Sequence, residues 1–87
     1  MSVVEEMGDQ LARDVLEACI ELGDDRFYEK VSKVLLDASP TMQEAFLTAV
    51  RVRLAERRAR AYVEQMLTAK RTGTAAPRAP MGGGSGH

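Results

Sequence analysis

Five arginines within ten residues, Arg51, Arg53, Arg57, Arg58 and Arg60, are the side chains of this sequence best suited to meeting a charged partner. On a helix, Arg53, Arg57 and Arg60 share one face, and Arg51 and Arg58 lie on a neighbouring one. Guanidiniums at that spacing can neutralise successive phosphates, which is how basic helices hold nucleic acid. The competing reading is internal. Glu5, Glu6, Asp9, Asp14, Glu17 and Glu21 supply ample counter-charge within the same chain. No helix-turn-helix spacing, RNA-binding sheet motif or pair of stacking aromatics accompanies the arginines, so internal or solvated pairing is preferred.

Little else points to chemistry. Cys19 is the only cysteine, flanked by Ala18 and Ile20 with no histidine near it in sequence, and is expected to act as a small buried apolar residue rather than a nucleophile. The one histidine is the last residue, His87, so no metal site is expected. There is no phosphate-binding glycine loop, zinc-protease helix motif or nucleophile elbow, and the C-terminal glycines precede no helix. The carboxylates are many, but no apolar pocket is evident that would tune one as an acid or base. The expectation is therefore a non-enzyme with no cofactor. A site assembled across subunits is the one catalytic arrangement left open.

The charges themselves are segregated. Before Ala45 there are eleven acidic and four basic residues; from Ala45 onward there are eight basic and two acidic, for net charges of −7 and +6. Arginines outnumber lysines nine to three, which reads as composition bias as readily as functional preference. No long apolar run is present, so no membrane partner is expected. The acidic N-terminal stretch is unlike an export signal and the lone cysteine fits a reducing compartment, so the expected location is cytoplasmic.

The elements that carry these residues read as helices, with about 65 helical residues and no sheet. Val4, Met7, Leu11, Val15, Ala18 and Leu22 recur at steps of three and four, with Ala12, Leu16, Cys19 and Ile20 widening the face. Ser2 and Glu5 form a capping box for this first helix, and Gly23 ends it. A second helix is expected from Asp25 to Ala38, capped by Asp24 or Asp25. Its apolar face is Phe27, Val31, Val34, Leu35 and Ala38, and Glu29 and Lys33 form a supporting pair. Ser39-Pro40 opens a third helix, with Thr41 and Glu44 as a competing box. No glycine or proline follows until Gly73, so it runs about 31 residues, or about 46 Å. The fold expected is all-α: a small three-helix bundle over 1–71, the third helix long, with a disordered glycine- and proline-rich tail over 72–87. Pro77-Arg78-Ala79-Pro80 has PxxP spacing, and Gly82–Gly86 resembles a linker or expression scar. The best-buried residues should be Leu11, Val15, Leu22, Val31, Leu35, Phe46 and Val50.

The third helix has two apolar stretches separated by the arginines. Met42, Ala45, Phe46, Ala49 and Val50, with Leu47 and Leu54 beside them, belong to the bundle. Ala59, Tyr62, Val63, Met66 and Leu67 lie beyond the reach of a short second helix. They are the expected interface, either of a homodimer, with antiparallel pairing favoured by the opposed charges, or with another protein. A bend near Glu56–Arg60 is the alternative, though nothing there breaks a helix. The functions carried forward are a homo-oligomeric interaction or regulatory module, a nucleic-acid binder using Arg51–Arg60, and an acidic mimic of nucleic acid using the first helix. Arginine-bearing helices beside acidic ones occur in many unrelated small bacterial proteins, so fold alone carries no function.

Overall fold

The computed structural model describes residues 2–73, so the expectations for the PxxP spacing and the glycine-rich stretch fall outside the described residues. Three α-helices and no strand are found among them: α1 (Val3–Leu22), α2 (Phe27–Ala38) and α3 (Pro40–Thr72). The chain divides into two compact units, Met1–Ala55 and Glu56–His87. The first holds α1, α2 and the opening part of α3; the described part of the second is the remainder of α3.

The helix ends follow their local chemistry. Ser2 Oγ accepts from the Glu5 amide at 3.1 Å while Glu5 Oε1 accepts from the Ser2 amide at 3.0 Å, completing the capping box. At the other end of α1, Gly23 adopts φ +66°. Its amide donates to Ile20 O at 3.1 Å and the Asp24 amide to Cys19 O at 2.9 Å, which satisfies two terminal carbonyls. The Asp24 carboxylate then organises the turn, accepting from the Arg26 amide at 3.1 Å and from Lys30 Nζ at 3.2 Å. Helix α2 begins at Phe27, two residues later than expected, because Asp24 ties down this turn instead of capping the helix directly. Ser39 serves two helices. Its amide donates to Leu35 O at 2.6 Å, and its Oγ accepts from the Met42 amide at 3.2 Å, so Thr41 and Glu44 do not set the start of α3.

The core of the first unit comprises Ala12, Val15, Leu16, Cys19, Phe46 and Val50, with Leu11, Phe27, Tyr28, Val31, Leu35, Leu47, Ala49 and Leu54 packed around it. Val15, Phe46 and Val50 are buried as expected; Leu11, Val31 and Leu35 are half-buried. Leu22 is 59% exposed and is not a core residue. It is the last residue of α1; the rotation of the helix is set further back, at Gly8. A Cβ there would stand 3.0 Å from the Ala45 carbonyl carbon and Cβ and 3.1 Å from the Phe46 nitrogen. Helix α1 thus approaches the α3 backbone closely at Gly8, and with Gly8, Ala12, Val15, Leu16 and Cys19 as its buried face Met7 is carried outward. Helix α2 is rotated too: Tyr28, Val31, Ser32 and Leu35 face inward, while Val34 is 69% exposed. Buried Ser32 is tolerated because its Oγ accepts from Gln43 Nε2 at 3.1 Å. Glu29 pairs with Arg26 at 3.8 Å rather than with Lys33.

Candidate interaction surface

The five arginines have different fates. Arg53 makes a bidentate pair with Asp9 of α1, Nε to Oδ1 at 2.8 Å and Nη2 to Oδ2 at 3.0 Å. The Arg53 hydrogen bond holds the Asp9 carboxyl below its ordinary value; desolvation opposes it, and the nearby charges of Arg53 and Arg13 add to the lowering. Arg60 is bound within its own helix by Glu56, four residues earlier: Nε donates to Glu56 Oε2 at 2.8 Å and Nη2 donates to the same oxygen. This bond, then the charges of Glu56 and Glu64, raises the affinity of Arg60 for its proton. Glu56 Oε1 is left without a partner among the described residues. Arg51, Arg57 and Arg58 are exposed and pair with no described residue. Arg51 borders a groove between α2 and α3 of about 400 Å³, with Lys33 also on its wall and Leu47, Val50 and Leu54 as apolar lining.

In the second unit the apolar residues named from the sequence remain accessible. Val63 is 52% exposed, Leu67 43% and Met66 37%, Ala59 is exposed, and Tyr62 is half-buried. Their helical spacing gathers Ala59, Val63 and Met66 on one stripe with Tyr62 and Leu67 at its two sides. An open groove runs beside it, lined by Glu56, Ala59, Arg60, Val63 and Glu64. Its edge therefore alternates in charge: Glu56, Arg60 and Glu64, each four residues after the last. No protein family, curated protein or solved structure matches this chain. Function must be argued from these residues alone.

Among the described residues no cluster of histidine, cysteine or acidic side chains could hold a metal ion. No helix there is long and apolar enough to cross a membrane. Cys19 is 5% exposed within the core, where a thiol meets neither base nor solvent. The sequence reading missed the alternating edge of the groove, because Glu56 and Glu64 are isolated acids within a basic segment. Their i, i+4 spacing from Arg60 was the available signal. It also passed over Gly8, although a glycine inside an otherwise periodic helix marks close packing.

Proposed function

We propose that this chain is a small helical interaction module that self-associates through the second unit, using Ala59, Tyr62, Val63, Met66 and Leu67. The observation that carries this reading is the exposure of Val63, Met66 and Leu67 together on one stripe of α3. Each of the three has about half its surface or less still open, so burying them against a partner contributes about 1 kcal/mol each before association costs are subtracted. Helix length supports it as well. In the second unit α3 alone continues over 56–72, about 26 Å, with no other described helix in that unit to cover it. A symmetric dimer covers such a surface economically, because one patch serves both copies.

Binding nucleic acid through the arginine segment is the weaker reading. Arg53 is committed to Asp9 and Arg60 to Glu56, so the face they share with Arg57 has lost two of its three guanidiniums to carboxylates. Light scattering at micromolar concentration tests the proposal: the wild type should have twice the chain mass of 9.5 kDa, and Met66→Glu or Val63→Glu should halve it. A wild-type monomer at 100 μM would end the dimer reading. Salt-sensitive retention of duplex DNA that depends on Arg51, Arg57 and Arg58 would favour nucleic acid instead.

A further inference from the structure

Resting on that dimer reading, we infer that the two copies of α3 pair antiparallel about a two-fold axis beside Val63, with Glu56 of each copy meeting the partner's Lys70. The stripe that carries Ala59, Val63 and Met66 continues at the same three-and-four spacing to Glu56 at one end and Lys70 at the other. Its two ends are opposite in charge. In a parallel pair in register, Glu56 would face the partner's Glu56 and Lys70 the partner's Lys70. Like charges opposed in this way repel at both ends of the stripe.

Reversing one helix about Val63 replaces each repulsion with an attraction. Glu56 comes level with the partner's Lys70, and Arg60 lies within about 3 Å along the axis of the partner's Glu64. Symmetry makes each contact twice. Ala59 then lies opposite the partner's Leu67, a small residue facing a large one, and Val63 meets the partner's Val63. The hydrogen bonding of Glu56 is suited to this arrangement. Arg60 occupies only Oε2, so Oε1 can accept from the Lys70 ammonium without breaking the intrahelical pair. Antiparallel alignment also sets the helix dipoles head to tail, which favours association by a few tenths of a kcal/mol at most in water.

Single cysteines in the full chain test the orientation, with buried Cys19 as a silent background established on the wild type. Treated with a short bis-maleimide, Val63→Cys should cross-link with itself. Ala59→Cys and Leu67→Cys should each stay uncoupled alone, being about 12 Å from their own copies along the axis, yet cross-link when mixed. Self-cross-linking of all three variants would mean a parallel pair and overturn the orientation while leaving the dimer standing. A dimer by light scattering that cross-links at none of these positions would place the interface elsewhere and overturn the inference. The charge arm is independent. Lys70→Glu should weaken dimerisation on the order of tenfold, and adding Glu56→Lys should restore most of it. Equal dissociation constants for wild type and Lys70→Glu would remove the Glu56–Lys70 contact.

Discussion

Asp9 and Arg53 are 44 residues apart in the chain, and their fork-to-fork contact ties α1 to α3 at one fixed rotation. Because the folded state holds the Asp9 carboxyl below its ordinary 3.8, the pair's stabilisation is complete above the unfolded carboxyl's titration. It is lost as pH falls through the lower folded value. Asp9→Asn should therefore lower the urea midpoint at pH 7 and flatten its decline below about pH 4. Asp24, held low first by the Arg26 amide and then by Lys30, retains part of that decline. An unchanged acid limb in Asp9→Asn would mean the pair does not persist in solution. Gly8 works by absence. Three atoms of α3, two of them backbone, already stand about 3 Å from where its Cβ would be, and a helix backbone gives little. Gly8→Val should cost on the order of 1–3 kcal/mol in denaturant titration, even though valine is the better helix former.

At the scale of the element, the two turns rest on single residues. Gly23 reaches φ +66° at the end of α1, where an L side chain is strained, so Gly23→Ala should cost about 1–2 kcal/mol. Ser39 ends α2 and caps α3 with one extended residue at φ −161°, so the direction of α3 is set at a single joint. Ser39→Ala should remove about 1 kcal/mol. Phe46 and Val50 are the fully buried residues that α3 contributes to the core shared with Ala12, Val15, Leu16 and Cys19 of α1. Phe46→Ala should therefore cost about 3–5 kcal/mol, enough to unfold much of so small a unit at 25 °C. Thermal melts of these three variants followed by circular dichroism should rank them Phe46→Ala, then Gly23→Ala, then Ser39→Ala. A Phe46→Ala melt like that of the wild type would show the core to lie elsewhere.

For the whole molecule, self-association and stability are linked through mass action. If folding and pairing are coupled through the second unit, the melting temperature of the wild type should rise as the protein is concentrated from about 5 to about 500 μM. In Met66→Glu it should be independent of concentration, since Met66 is exposed and takes no part in the described core. Scanning calorimetry across that range is the measurement. The same shift in both proteins would point to association through another surface. Val3, Met7, Ile20 and Leu22 of α1, each more exposed than Val63, Met66 or Leu67, are then the apolar side chains to substitute.

Sequence periodicity and punctuation alone determined that the described chain is helical, where its helices turn, and which residues cap α1 and open α3, though not the start of α2. Those properties are local: a capping box spans three residues, and Gly23, Ser39 and Pro40 act on their own backbone. Burial of Val15, Cys19, Phe46 and Val50 was also legible, because each lies on an apolar stripe wide enough to survive a modest rotation. Which edge of each stripe faces inward was decided only in three dimensions. The close approach at Gly8 turned Met7 outward, Leu22 at the last position of α1 stayed exposed, and the Ser32–Gln43 hydrogen bond accompanied a turn of α2 that left Val34 in solvent. The arginine segment shows the same limit for charge. Composition established that acids and bases are segregated along the chain, but not that Arg53 would reach Asp9 while Arg60 took Glu56. Coulombic attraction needs only proximity, and between distant segments proximity is a property of the packed fold.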